Sequence, residues 1–330
     1  MGRFFLLIVM LTAACTSVRP PVDRVAALPG AYTAATRPEL GVFIINTEIN
    51  GTGPWPMLVD TGSTRSAIFP SAAQAIGLTW SSDEEVLVRG LAQIVARPVL
   101  RDVSIVIGPY SFDDLCLVGL PDREPPVFQG IIGLDILRRF VVVHDADRSQ
   151  LVFVPREQFK PRILNRWNKL TFGPPPSGNE SYGLGFVKAR VAGQEITGLI
   201  DTGTSRTVSN WQAAAFSANV RALRRFLRQQ WELAGANAPF RPQAVARYPD
   251  LQMGDFRWEA PLIILSDLAT LDVLGADEAP FLIIGADMLG VRSFAFDAAG
   301  GSLIIEPAPP DDVRVIPTGG GSMIVNAPAF

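Results

Sequence analysis

The stretch MLVDTGSTRS occupies residues 57–66, and GLIDTGTSRT at residues 198–207 repeats its pattern. In both stretches apolar residues precede Asp-Thr-Gly, and hydroxyl residues and an Arg follow at matching offsets. One Asp-Thr-Gly is weak evidence, because an Asp-capped turn has the same sequence. Two copies, each behind an apolar strand pattern, indicate a duplicated unit, so the repeat organises the chain.

A second pair of segments extends this repeat. Residues 133–155 align with residues 285–307 without a gap, and Gly, Asp, Leu, Asp, Ala, Leu and Pro coincide. In each copy a hairpin ends at the Asp, and a short helical stretch, a Gly-centred segment and an Ile-Ile-Gly follow. The sequence therefore predicts an all-β protein of two homologous lobes with few short helices.

Composition limits the functions that the chain can have. Its 330 residues, 48% hydrophobic and 18% charged, can bury a sizeable core. A formal net charge of −3 offers no basic footprint for DNA or RNA, so no nucleic-acid partner is expected. His144 is the only histidine, which argues against His-dependent triads and His-cluster zinc sites. We therefore predict neither a metal nor a cofactor.

The N-terminus has the proportions of a signal peptide, since one Arg precedes an uncharged apolar run at residues 4–11 that is too short to span a bilayer. The following LTAAC resembles the lipobox of bacterial lipoproteins, which implies a signal peptide at residues 1–14 and lipid attachment at Cys15. The alternative is ordinary secretion with the same cleavage site. Residues 15–38 are then predicted to be a lipidated N-terminus and flexible tether. We expect a lipid-anchored protein of the bacterial cell envelope that faces the periplasm or the exterior.

The repeat also predicts the remaining boundaries. The first lobe is expected at residues 39–155 and the second at residues 183–307. Residues 156–182 have the Pro, Gly and Ser content of a connector. The tail at residues 308–330 follows the repeat and is a candidate strand of a sheet between the lobes.

With both Asp-Thr-Gly motifs and both Ile-Ile-Gly motifs, the chain from about residue 39 to 307 resembles the retropepsin-like aspartic peptidases of clan AA. The resemblance implies acid-protease-type β-barrel lobes related by a pseudo-twofold axis. It also implies that Asp60 and Asp201 form a catalytic dyad, because two adjacent carboxylates share a proton and can activate a water molecule. Retropepsins are normally homodimers, whereas here the two halves are fused, so a monomer is expected.

The same resemblance implies roles for the residues that follow each Asp. Gly62 and Gly203 let the two loops approach without a Cβ clash. The hydroxyl groups of Thr61 and Thr202 are expected to lock each loop to its partner. Those of Ser63 and Thr204 are expected to hydrogen-bond the outer carboxylate oxygens.

Flaps and loop bracing complete the predicted site. Each copy offers a Gly-tipped segment as a flap, with Gly90 and Gly235 at the tips. For bracing, we hypothesise two bidentate ion pairs behind the catalytic loops. These pairs join Arg65 to Asp135 and Arg206 to Asp287.

The predicted function is an aspartic endopeptidase that binds an extended peptide and processes envelope proteins or peptides. The alternative is a non-catalytic, peptide-binding envelope lipoprotein with the same fold. Retention of both Asp residues and of the small residues beside them favours catalysis, because a binding groove does not need an acid pair.

Overall fold

The structure is a computed structural model and describes residues 20–37, 41–80, 84–90, 93–122, 127–178, 183–222, 242–268 and 271–307. It is mostly β, as the sequence predicts. None of the helices in these ranges is long and apolar enough to cross a membrane. The helices are α1 Pro21–Ala26, α2 Pro70–Ile76, α3 Leu134–Leu137, α4 Leu271–Leu274 and α5 Ala286–Leu289, with 3-10 turns at Arg156–Gln158, Pro161–Leu164 and Trp211–Phe216.

The first lobe is a closed barrel of six strands with one further strand at its rim. The barrel order is β2-β3-β8-β4-β7-β6, the β2–β6 pairing closes it, and β5 forms a hairpin with β6. Alternating burial along β2 shows the two-residue period of a strand with one face in the core. The strands are β2 Ile44–Ile49, β3 Thr52–Val59, β4 Ala67–Ile68, β5 Glu85–Arg89, β6 Ile94–Ile107, β7 Tyr110–Gly119 and β8 Gly130–Ile132.

The second lobe repeats the central pairings of the first. In the first lobe β3 runs parallel to β8, and β4 lies antiparallel to β8 and parallel to β7. In the second lobe β13, β20, β14 and β19 pair in the same way. Its nine strands are β12 Phe186–Val191, β13 Gln194–Ile200, β14 Val208–Ser209, β15 Asn219–Ala222, β16 Ala244–Arg247, β17 Asp250–Met253, β18 Phe256–Glu259, β19 Leu262–Leu265 and β20 Phe281–Ile284.

A six-stranded antiparallel sheet joins the lobes. Its order is β1-β10-β9-β21-β22-β11, with strands β1 Tyr32–Ala35, β9 Phe140–Asp145, β10 Gln150–Pro155, β11 Asn168–Thr171, β21 Phe294–Asp297 and β22 Ser302–Ile305. His144 lies at the seam, where it pairs with Phe294 and its Nδ1 is 3.1 Å from the carbonyl oxygen of Arg292. The sheet separates the large core of the two lobes from a smaller apolar layer on its other face.

The predicted tether and connector both contribute to this sheet, and for the described part of residues 15–38 this corrects the prediction of a flexible tether. Residues 15–38 include α1, whose Val22 and Val25 are buried against the sheet, and edge strand β1. Residues 156–182 include β11, the opposite edge strand. Burial of apolar side chains stabilises these segments in spite of their Pro and Gly content. The predicted tail strand at 308–330 lies outside the described residues.

The helical stretch predicted after the second Asp-Thr-Gly is also different in the structure. Within the described part of that stretch, residues 210–222, only Trp211–Phe216 is helical, as a 3-10 turn with Asn210 as its N-cap. Strand β15 follows at Asn219–Ala222 and pairs with β16, so tertiary strand pairing overrides the local helix propensity.

Candidate active site

Each Asp-Thr-Gly begins where a central strand of its lobe ends. Asp60 follows β3, and its N–H donates to the Ile132 carbonyl at 3.0 Å. Asp201 follows β13, and its N–H donates to the Ile284 carbonyl at 3.0 Å. The parallel pairing with the Ile-Ile-Gly strand, β8 or β20, thus positions both Asp-Thr-Gly loops in the same way.

The two loops are joined by four hydrogen bonds between Thr61 and Thr202 and the strands before them. Each backbone N–H donates to the hydroxyl of the other Thr at 3.1 Å. The Thr61 hydroxyl donates to the Ile200 carbonyl at 2.9 Å, and the Thr202 hydroxyl donates to the Val59 carbonyl at 2.7 Å. Both Thr residues are buried, so these bonds are shielded from water and fix the distance between the lobes at the site.

The carboxyl groups of Asp60 and Asp201 meet directly across this junction. Each accepts a hydrogen bond at 2.8 Å from the N–H of the Gly two residues later. A Cβ atom on Gly62 would stand 2.5 Å from Asp201 Cγ, and one on Gly203 would stand 2.6 Å from Asp60 Oδ1. Only glycine leaves room for the opposite carboxyl group at these positions. Both Asp residues remain half-buried and so keep some solvent access.

The electrostatics of the pair favour one shared proton. Burial raises the pKa of Asp60 well above its ordinary value, and the neighbouring Asp201 carboxylate raises it further. Burial also raises the pKa of Asp201, but hydrogen bonds from the Gly203 backbone and the Asp60 carboxyl act in the opposite direction. The two carboxyl groups therefore share one proton at rest, and their titrations belong to the pair as a whole.

The hydroxyls of Ser63 and Thr204 do not bond the carboxylates, which corrects the prediction. Each donates to the carbonyl two residues later, at 2.8 Å for Arg65 and 3.0 Å for Arg206. Short hydroxyl side chains readily close local turns in this way. The backbone N–H groups of Ser63 and Thr204 face the carboxylates instead and lower their pKa values.

The hypothesis of Arg–Asp bracing is wrong in the first lobe, although the carboxylate does brace the loop. No ion pair joins Arg65 to Asp135, both of which the structure describes. Asp135 accepts the Ser66 N–H at 2.9 Å and the Ser66 hydroxyl at 2.7 Å. The same hydroxyl accepts the Gly133 N–H at 3.0 Å. A buried serine satisfies the carboxylate at less entropic cost than an exposed Arg side chain.

The second lobe contains the equivalent brace. Asp287 accepts the Thr207 hydroxyl at 2.7 Å, and that hydroxyl accepts the Gly285 N–H at 3.0 Å. The charge of Arg206 lowers the pKa of Asp287, but burial outweighs it and the pKa is raised. No Arg206–Asp287 ion pair occurs within the described part of the chain. The sequence signal for Ser66 and Thr207 was a hydroxyl residue six positions after the Asp of each Asp-Thr-Gly motif.

One of the two predicted flaps lies within the described residues. Strands β5 and β6 form a hairpin in which Arg89 pairs with Ile94, and the Gly90 N–H donates to the Gln93 carbonyl at 3.0 Å. Gly90 therefore lies directly after β5, beside the turn of this hairpin, and its role in a flap stays a prediction. Gly235 lies outside the described residues, in the segment between β15 and β16, which pair with each other.

The part of the chain that the structure describes contains no candidate metal centre. Within the residues it describes, no group of three or more His, Cys, Asp or Glu side chains could hold a metal ion. Cys116 is a half-buried free cysteine, and the predicted lipidation site Cys15 lies outside the described ranges.

Comparison with protein families agrees with this geometry. Residues 45–136 match the family model described as "Aspartyl protease". The matched segment contains Asp60 and its brace but ends before Asp201, so the second half of the site rests on the geometry above. No curated protein matches the chain. The family match confirms the resemblance to retropepsin-like aspartyl proteases and supports peptide hydrolysis as the general activity.

Proposed function

We propose that this chain, whose residues 45–136 match the aspartyl protease family, is an endopeptidase that uses Asp60 and Asp201 as its catalytic dyad. The observation that carries the proposal is the direct approach of the two carboxyl groups. A binding groove gains nothing from two adjacent, half-buried acids whose pKa values are both raised, whereas acid–base catalysis needs such a pair.

The chemistry follows from the unequal protonation of the two acids. Asp201, as the carboxylate, accepts a proton from a water molecule as its oxygen attacks the peptide carbonyl carbon. Asp60, as the acid, donates its proton to the carbonyl oxygen, which yields a tetrahedral diol without a covalent enzyme intermediate. Asp201 then protonates the leaving nitrogen, Asp60 recovers a proton from the diol, and the C–N bond breaks. Both acids thereby return to their starting states.

The substrate that fits best is a peptide in an extended conformation. The β5–β6 hairpin offers backbone donors and acceptors to a strand laid beside it. Val86 and Val88 contact the core, whereas Leu87 between them is exposed on the opposite face of β5. The face that carries the two valines is therefore apolar and supported by the core. Because one chain contributes both acids, we propose an active monomer.

The proposed biological setting is the bacterial cell envelope. The signal-peptide pattern and the lipobox-like LTAAC support attachment through Cys15 and a periplasmic or exterior location. An enzyme held at a membrane meets few substrates at high local concentration, so processing of envelope proteins or peptides suits it better than general digestion.

The test uses a chain that starts at Thr16, together with Asp60→Asn and Asp201→Asn variants. Asp255→Asn, on an exposed turn outside the site, is the matched control. A proteome-derived peptide library is incubated with each protein from acidic to neutral pH, and the products are identified by mass spectrometry. We expect the parent and the control to cleave peptides from the library. Both dyad variants should lose this cleavage, and a statine-type inhibitor should block it in the parent. Cleavage that persists in either dyad variant refutes the proposed mechanism.

A further inference from the structure

The face of the six-stranded sheet that points away from the active site is covered by a thin layer. Helix α1 and the 3-10 turn Pro161–Leu164 pack on it, and the Arg24 guanidinium donates to the Ile163 carbonyl at 3.3 Å. Val25, Leu164 and Trp167 are buried between this layer and the sheet. The layer is therefore a fixed part of the fold and presents a defined surface.

That surface is strongly basic. The segment from residue 156 to 169 has five Lys or Arg residues and one acidic residue, whereas the whole chain has a net charge of −3. Its exposed cations Lys160, Arg162, Arg166 and Lys169 form no ion pair within the described residues. We refer to these four residues as the basic surface. Uncompensated charge concentrated in this way attracts a polyanionic partner.

Strand register places one member of the basic surface unambiguously. Lys169 on β11 pairs with Ile304 on β22, and paired residues project to the same side of a sheet. Ile304 belongs to the apolar layer beneath the sheet, and Leu170, the next residue, packs on the opposite core. Lys169 therefore points toward the side covered by α1, away from the catalytic dyad.

The N-terminus of the described fold is part of this same face. Pro20 directly precedes α1 and lies five positions after Cys15, with four residues between them. A chain spans at most about 3.6 Å per residue, so a lipid attached at Cys15 would hold α1 within roughly 18 Å of the membrane. This limit keeps the face that carries α1 and the basic surface close to the bilayer.

We propose that the basic surface docks on the anionic headgroups of a lipid bilayer, so that the active-site cleft faces away from the membrane. Two observations favour a lipid surface as the binding partner of the basic surface. Its cations complement anionic headgroups, and the N-terminal connection to Cys15 is short. Docking depends on exposed charges and therefore weakens as salt screens them, with a screening length of about 8 Å at physiological ionic strength.

The test removes the lipid anchor so that only the surface is measured. The chain starting at Thr16 retains every described element, because the described fold begins at residue 20. Its co-sedimentation is measured with vesicles of phosphatidylcholine, alone or mixed with phosphatidylglycerol. The test variant combines Lys160→Gln, Arg162→Gln and Arg166→Gln. The matched control neutralises three exposed Arg residues of the second lobe, through Arg190→Gln, Arg221→Gln and Arg247→Gln.

The parent and the control should bind vesicles that contain phosphatidylglycerol, and added salt should release them. The test variant should lose about a hundredfold in partition coefficient, since each cation near the surface contributes about fivefold. Cleavage of a peptide substrate and the thermal unfolding midpoint should stay unchanged in all three proteins. The proposal is overturned if the parent and the test variant bind equally, or if binding does not depend on phosphatidylglycerol. It is also overturned if the parent binds no vesicles, which would point to an acidic protein partner instead.

Discussion

Replacing Gly62 by Ala should disable the enzyme while leaving it folded. The new Cβ would stand 2.5 Å from Asp201 Cγ, whereas ordinary contacts begin at 3.4 Å, so a carboxyl group or a loop must move by about 1 Å. A misplacement of about 1 Å at the reacting groups can lower the rate about 100-fold. We therefore expect kcat/KM to fall at least about 100-fold, with most of the loss in kcat.

The assay compares Gly62→Ala with Gly173→Ala, using a peptide substrate identified by library cleavage. A Cβ on Gly173 would have nothing within 4 Å, so the control makes the same chemical change without a clash. Its activity should match the parent, and its free energy of unfolding should change by less than about 1 kcal/mol. Chemical denaturation confirms that both variants are folded during the assay.

The pH–rate profile separates displacement of the dyad from a general loss of structure. Moving Asp201 away from Asp60 weakens the repulsion that raises the pKa of Asp60. The residual activity should therefore decline at a lower pH on its basic side than the activity of the parent. A Gly62→Ala variant with activity within a few-fold of the parent and an unchanged pH profile would refute the close packing of the dyad.

Three further predictions follow from buried polar groups. Ser66→Ala should lower the free energy of unfolding by about 1–3 kcal/mol, because the buried Gly133 N–H loses its acceptor. Ser66→Thr keeps the hydroxyl and should retain most of that free energy. A free energy of unfolding that Ser66→Ala leaves unchanged would contradict the brace. Burial lowers the pKa of His144, so its contribution to stability is complete above its unfolded pKa of about 6.5 and declines as the pH falls below that value. His144→Phe should remove this decline from the free energy of unfolding measured by urea titration. A decline at acidic pH that is unchanged in the variant would contradict the role of His144. Burial raises the pKa of Asp60, so the parent loses stability as the pH rises through this raised pKa. Asp60→Asn should therefore raise the thermal unfolding midpoint at neutral pH. An unchanged midpoint at neutral pH would contradict the raised pKa of Asp60.

The repeat in the sequence was sufficient to predict the fold class and the proximity of Asp60 to Asp201. Asp-Thr-Gly behind an apolar strand determines local structure, because only glycine permits the close approach and the Asp must follow the strand end. Since the pattern occurs twice and is followed by an Ile-Ile-Gly each time, Asp60 and Asp201 could be paired without coordinates. The position of Gly90 beside a hairpin turn followed from the same local logic.

Contacts distant in sequence were decided only by the tertiary structure. Asp135 bonds Ser66, 69 residues away, although Arg65 beside it has the complementary charge, because a buried hydroxyl can satisfy both the carboxylate and an adjacent N–H. Likewise, α1 and β11 look like tether and connector in composition, but each buries apolar side chains or pairs with a strand. Local sequence reports what a segment can do alone, whereas burial and hydrogen-bond satisfaction depend on partners that only the folded chain brings together.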